Sequence, residues 1–220
     1  MRYELVIFDW DGTLMDSIAR IVFSMQSAAR DIEWGELEAQ AVRNIIGLGL
    51  PEAIAELCPG ISPAQAEQLK QRYAWYFVDG SEVALNWYPG VEDGLARLAS
   101  TPGMRLAVAT GKSRKGLDRA FREHGIEHLF AASRTADETR SKPHPQMLVE
   151  LLEELAVPAR RAVMVGDTEY DLAMARALGM DGIAVGYGVH ARERLLACQP
   201  VVIADDFAAV MDALLNGQAR

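Results

Sequence analysis

Short, wholly apolar runs recur along this chain, and their length limits each to a buried strand or a fragment of a core helix. They are Leu5 to Phe8, Leu106 to Ala109, Ala162 to Val165, Gly182 to Val185 and Val201 to Ala204, with a weaker sixth at Leu129 to Ala132. Strands buried on both faces read as continuous apolar runs instead of alternating ones. Between the later runs lie helical segments. Val91 to Ser100 follows Pro89-Gly90, Ser113 to His124 opens on a capping serine, Pro145 to Leu155 has apolar residues at helical spacing, and Asp171 to Leu178 stops at Gly179. Strands alternating with helices predict an α/β fold on a doubly wound parallel sheet.

The first interval breaks that alternation, because the second strand does not begin until about Arg105. Ser17 to Ile32, Glu36 to Ile46, Glu52 to Leu57 and Pro63 to Asp79 all read as helices; in the last, Leu69, Tyr73, Tyr76 and Phe77 fall one and two turns apart. Residues 17–86 are therefore expected to form a small helical cap inserted after strand one, and residues 1–16 with 87–220 the α/β core. Gly47, Gly49 and the stretch Asn86 to Gly90 are the expected hinges or loops.

Composition narrows the function classes. With 220 residues, 50% of them hydrophobic, the chain buries a core without disulfides or structural metals. A net charge of −9 argues against a nucleic-acid partner and requires a local positive site for any small anionic substrate. Cys58 and Cys198 form no Cys-x-x-Cys pair and fit a reducing compartment. No window reaches the roughly 20 apolar residues that cross a bilayer, and no leader pattern opens the chain. A cytoplasmic protein without a membrane partner is expected.

Ligands of an open parallel sheet sit beyond the carboxyl ends of its strands. Strand one ends in Asp9-Trp10-Asp11-Gly12-Thr13, strand two in Thr110-Gly111-Lys112, and the strand near residue 163 in Gly166-Asp167-Thr168-Glu169-Tyr170-Asp171; Ser141-Lys142-Pro143 precedes a helix. Asp9 follows four apolar residues, where a carboxylate loses hydration unless a cation or donors replace it. Asp11 lies two residues on and faces the same side in an extended chain. Gly12 permits a sharp turn and close approach of backbone N–H groups to an oxyanion. Alone, the Asp-x-Asp pair reads more readily as a turn and helix N-cap than as catalytic, and Thr110 alone reads more readily as a strand-end hydroxyl that satisfies a neighbouring amide. The convergence of four clusters on one rim favours chemistry. A phosphate dianion entering among Asp9, Asp167 and Asp171 would be repelled without a divalent cation and a lysine. Carboxylate oxygens with no His or Cys at metal spacing select magnesium over zinc, and Lys142 supplies the fixed positive charge. Thr110 and the Gly111 N–H would bind non-bridging phosphate oxygens.

Asp9-x-Asp11-Gly12-Thr13-Leu14, Thr110, Lys142-Pro143 and Gly166-Asp167-x-x-x-Asp171, in this order, resemble the haloacid dehalogenase superfamily over essentially the whole chain. The helical insert falls where the subfamily with a cap after the first motif carries it, and within that group the chain looks like the phosphoglycolate phosphatase relatives. The resemblance implies a magnesium-dependent phosphatase acting on a small phosphorylated metabolite, with Asp9 as nucleophile and Asp11 as acid/base. It also implies magnesium held by Asp9, the Asp11 carbonyl and Asp167, with Asp171 nearby or orienting Lys142. Gly12, Thr13, Gly111 and Lys112 are the expected substrate contacts.

Two departures from the family pattern stand out. Gly111 replaces the usual Asn or Asp, which gives Lys112 more weight, and Trp10 replaces a smaller apolar residue and is expected to pack behind the site. Asp11 argues against a dehalogenase, whose relatives lack a second aspartate. Thr13 argues against a phosphoglucomutase-type phosphoryl transfer, and a helical insert argues against a signalling receiver; a catalytically idle domain on the same fold is the remaining reading. Gly47-x-Gly49 lacks a third glycine and a preceding strand and is not a dinucleotide site. His124, His128, His144 and His190 show no metal-binding spacing and are expected at the surface or as caps.

Overall fold

The computed structural model describes residues 2–216. Its strands are β1 (Leu5–Phe8), β2 (Met15–Asp16), β3 (Asn86–Trp87), β4 (Arg105–Thr110), β5 (Ala132–Thr135), β6 (Ala162–Gly166), β7 (Asp181–Val185) and β8 (Val202–Ala204). Six of them form one sheet in the order β5-β4-β1-β6-β7-β8, parallel throughout. β1 is central: Leu5 pairs with Arg105 and Ala162, and the register runs to Phe8 beside Val108 and Val165. All four β1 residues are fully buried because helices cover both faces. Val6 and Phe8 join Val91, Leu95, Leu98, Phe207 and Val210 on one side. Leu5 and Ile7, with side chains pointing the other way, join Met147, Leu148, Leu151 and Met174 on the other.

Helices α1 (Ile18–Asp31), α2 (Ala39–Asn44), α3 (Leu50–Leu57) and α4 (Pro63–Val78) follow β2; α5 (Val91–Ala99), α6 (Arg114–His124), α7 (Gln146–Glu154), α8 (Glu169–Ala177), α9 (Arg192–Ala197) and α10 (Phe207–Leu215) surround the sheet. Helices α1 to α4 share an apolar cluster that includes Ile21, Met25, Val42, Ile54, Leu69 and Phe77. Their starts follow local chemistry: Ser62 closes a capping box with Gln65 ahead of Pro63 at the first helical position. Ser113 caps α6, and Thr168 and Asp171 form a capping box on α8. Among the described residues no helix is long and apolar enough to cross a membrane.

Three local expectations need correction. The edge strand is Ala132–Thr135, not Leu129 to Ala132. Leu129 ends a 3-10 turn, and it and Phe130 pack against the core from that turn. An edge strand has one neighbour and accepts the polar Ser133 and Arg134. Asn86–Trp87 is not loop but β3, paired antiparallel with β2 (Met15 beside Trp87), and the Trp87 ring lies 5.6 Å from that of Trp10. Helices α9 and α10 lie where no helix is expected. Asp206, whose side chain accepts from the Ala209 N–H, is the N-cap signal that marks the second.

Candidate active site

The central position of β1 between β4 and β6 creates the crevice. The chain builds outward from β1 through β4 to β5, then returns to β6 and runs the other way, so the carboxyl ends of β1, β4 and β6 open on one switch point. Asp9 leaves β1 there, Thr110 ends β4 and Asp167 follows β6. The Ser141-Lys142-Pro143 turn brings Lys142 in from the side.

Lys142 is the hub. Its Nζ lies 2.8 Å from Asp9 Oδ1 and 2.6 Å from Asp171 Oδ1, and all three side chains are essentially without solvent exposure. The second oxygen of Asp171 accepts from the Thr168 hydroxyl at 2.6 Å and the Thr168 N–H at 3.2 Å. The same side chain thus caps α8 and aims the lysine. Asp167 is held equally firmly, with Oδ1 accepting from the Thr13 hydroxyl at 2.9 Å and Oδ2 from the Val189 N–H at 2.8 Å. Asp9 Oδ1 also accepts from the Trp10 N–H at 2.6 Å, whereas Asp9 Oδ2 is buried without any partner among the described residues.

Three buried carboxylates facing one ammonium leave the site short of positive charge. Burial, with the neighbouring carboxylates adding to it, pushes the Asp9 carboxyl well above its ordinary range against the pull of Lys142. Burial first, and Asp171 second, push Asp167 up to about 7. Burial works against the Lys142 ammonium, but Asp171 and Asp9 outweigh it and keep the lysine charged. Oxygens of Asp9, Asp167 and Asp171 lie within 4.8 Å of one another. An orphaned oxygen beside two hard carboxylates is a donor set that fits a divalent cation, which would relieve both the desolvation and the repulsion.

Asp11 stands on the outer side of this group. Its Oδ1 accepts from the Ser17 hydroxyl at 2.6 Å and lies 3.0 Å from Lys112 Nζ. That ammonium also sits 4.7 Å from the ring centroid of Phe77 on α4. Thr110 is fully buried, and its Oγ1 accepts from the Lys112 N–H at 3.2 Å, which leaves the hydroxyl proton for another acceptor.

Gly12 and Thr13, expected on the substrate, are occupied elsewhere. The Gly12 N–H donates to the Met15 carbonyl at 2.9 Å and so is not offered to an oxyanion. Its φ of +80° and a clearance that would put a β-carbon 2.2 Å from Asp167 Oδ2 explain the glycine instead. The Thr13 hydroxyl is committed to Asp167. Gly111 also has a steric reason: a β-carbon there would lie 2.6 Å from the Leu48 carbonyl oxygen and 2.7 Å from that of Gly47. Trp10 is buried against Trp87 and Phe121.

Residues that motif reading passed over complete the site. Val189 is brought in by tertiary contact, its N–H reaching Asp167 from beyond β7, whereas Thr168 is set locally by the capping box it forms with Asp171 three residues on. His190 is buried, not a surface residue, because its ring packs on Tyr170 and its Nδ1 accepts from the Glu169 N–H at 3.1 Å, at the first turn of α8.

Comparison with known proteins gives a consistent likeness. The family model described as haloacid dehalogenase-like hydrolase matches residues 6–185. A probable phosphatase, IndB, of Dickeya dadantii is 35% identical over 95% of this chain and 92% of its own length. A phosphoglycolate phosphatase of Vibrio cholerae is 28% identical over 96% of this chain and 97% of its own. The crystal structure of a predicted phosphoglycolate phosphatase from Haemophilus somnus superposes with a TM-score of 0.85 at 26% identity, covering 99% of each chain.

Proposed function

This chain belongs to the haloacid dehalogenase-like hydrolases, and on that premise we propose that it is a magnesium-dependent phosphatase of a small phosphorylated metabolite, phosphoglycolate-like or a sugar phosphate, working in the cytoplasm. The observation that carries the reading is the buried Asp9 carboxylate, one oxygen bound to Lys142 and the other without a partner among the described residues. The Asp9 and Asp167 carboxylates and the Asp11 carbonyl would hold the metal. When bound, magnesium supplies positive charge to the phosphoryl oxygens and to the crowded carboxylates.

The chemistry proceeds in two displacements at phosphorus. Asp9 forms a bond to phosphorus as the bond to the alcohol oxygen breaks, and Asp11 gives that oxygen a proton, leaving an aspartyl phosphate. Water then attacks the same phosphorus and yields its proton to Asp11, the bond to Asp9 breaks, and inorganic phosphate leaves. Lys142, aimed by Asp171, offsets charge on the phosphoryl group through both steps. The Thr110 hydroxyl proton, with the Gly111 N–H, serves a non-bridging oxygen. Lys112 lies where it reaches the leaving-group side beside Asp11. Residues 17–86 act as a cap that excludes bulk water from the first step and selects the substrate.

The deciding experiment is a screen of phosphorylated metabolites for release of inorganic phosphate, with magnesium and with chelator, beside Asp9→Asn. Magnesium-dependent release that disappears in a folded Asp9→Asn protein is expected. Equal release by the variant would overturn the mechanism.

A further inference from the structure

The groups that fasten the inserted helices to the sheet are concentrated on one residue. The Tyr170 hydroxyl donates to the Asn44 carbonyl at 2.8 Å, and His190 Nε2 lies 3.4 Å from the same oxygen. Arg194 donates to Asn44 Oδ1 at 3.1 Å, while its other nitrogens hold Glu169 at 2.5 and 3.3 Å. Five residues further on, the Gly49 N–H donates to the Ser141 hydroxyl at 2.7 Å, next to Lys142. We propose that Tyr170 and Arg194 are positioning residues, a clamp whose grip on Asn44 sets segment 44–49 against the catalytic rim.

The placement of the clamp gives it this role. Tyr170 and Glu169 lie on the first turn of α8, between Asp167 just ahead of the helix and Asp171 on it, so the Tyr170 side of the clamp adjoins two carboxylates of the site, while Arg194 joins it from α9. Asn44 ends α2, and the backbone that follows it presses on the end of β4. The Gly47 and Leu48 carbonyls come close enough to forbid any side chain at 111, and a β-carbon at Gly47 would meet Thr168 and Tyr170 at 3.2 and 3.4 Å. Segment 44–49 thus lies between the Thr110 end of the rim and the α8 end, over the place where a leaving group must sit. Its register on the rim fixes how much room that group has. At the Asn44 end the segment is held from the core by Tyr170 and Arg194, with His190 beside the same carbonyl, all more than a hundred residues away in sequence, and at its far end by Ser141.

The test combines hydrogen–deuterium exchange with kinetics on the full chain, using Tyr170→Phe, which removes only the hydroxyl, and Arg194→Gln. Each lost bond is expected to speed exchange of segment 44–49 by roughly two- to tenfold, as one hydrogen bond permits, with α1 and α4 unchanged. With p-nitrophenyl phosphate and magnesium, KM should rise by a similar factor while kcat stays within about twofold. Unchanged exchange in both variants would overturn the clamp. So would α8 exchanging faster by as much as the segment, which marks damage to the helix, or faster exchange with an unaltered KM. The kinetic arm rests on the phosphatase reading and the exchange arm does not. A wild-type protein that turns over no ester would strike that reading and leave exchange to decide the clamp.

Discussion

Asp171 does not face solvent or stand free beside the site: its Oδ1 takes the Lys142 ammonium at 2.6 Å while its Oδ2 caps the helix on which it sits. Removing that charge should therefore act through Lys142. Asp171→Asn is expected to lower kcat/KM by at least tenfold and to weaken inhibition by inorganic phosphate. It should also destabilise the fold by about 3 kcal/mol, the scale for breaking a buried ion pair from one side. Kinetics and thermal melts of the same preparation check both, and a variant with wild-type phosphate inhibition would show that the lysine needs no aiming.

Asp11 is tied to Ser17 and Lys112 rather than to the buried carboxylates, as suits a group that serves the leaving oxygen. Asp11→Asn should cost alkyl phosphates on the order of a hundredfold or more in kcat, and p-nitrophenyl phosphate much less, because a good leaving group needs little protonation. Losses of equal size for the two ester classes would deny it the acid role.

Divalent cation binding should register as stability before any turnover. The orphaned Asp9 oxygen and the raised carboxyls of Asp9 and Asp167 are relieved only when positive charge arrives. Magnesium at a hundred times its dissociation constant is expected to stabilise the protein by about 2.7 kcal/mol. EDTA should reverse the shift in a melt, and Asp167→Asn should shrink it severalfold; a melt indifferent to magnesium would contradict the cation site.

His190 gives a pH signature of its own. Its Nδ1 accepts the Glu169 N–H and its Nε2 faces the Asn44 carbonyl, an arrangement that fits the neutral ring protonated on Nε2. Burial, and then the Arg194 guanidinium, hold its pKa below the ordinary value, with Glu169, Asp171 and the Asn44 carbonyl pulling the other way. A folded base that resists protonation binds fewer protons than its unfolded counterpart. The stability it secures is complete above the unfolded value, about 6.5, and is lost as pH falls toward the folded one. Urea melts between pH 5 and 8 should show a shallower slope in His190→Gln than in wild type; identical slopes would assign the pH dependence elsewhere.

Much of the site was legible because its chemistry follows strand ends. Asp9, Thr110 and Asp167 could be placed on one rim from the apolar runs before them, since a parallel sheet aligns the carboxyl ends of its strands. Lys142 was legible by its proline and the helix after it, but not as the partner of two carboxylates at once. Gly12 and Thr13 suit an oxyanion by residue type. The bond from the Thr13 hydroxyl to Asp167, 154 residues away, and the close approach of Asp167 to Gly12 leave no trace in local sequence. The spacing around His190 fits a surface or capping role; it does cap α8, but its burial depends on Tyr170 and on Asn44 from the inserted helices.

The sequence by itself determined the parallel sheet, the helical insert after the first strand and the identity of the acidic groups, because periodicity, capping residues and apolar runs act over a few residues at a time. Tertiary structure decided which oxygen of Asp9 is left without a partner, which carboxylate aims Lys142, and why position 111 is glycine. Those facts depend on distances between segments that meet only when the sheet is assembled, and burial there makes each missing or extra hydrogen bond matter. In this chain the edge strand followed the same rule: its register was set by the neighbour at Ala107, not by the apolar residues that precede it.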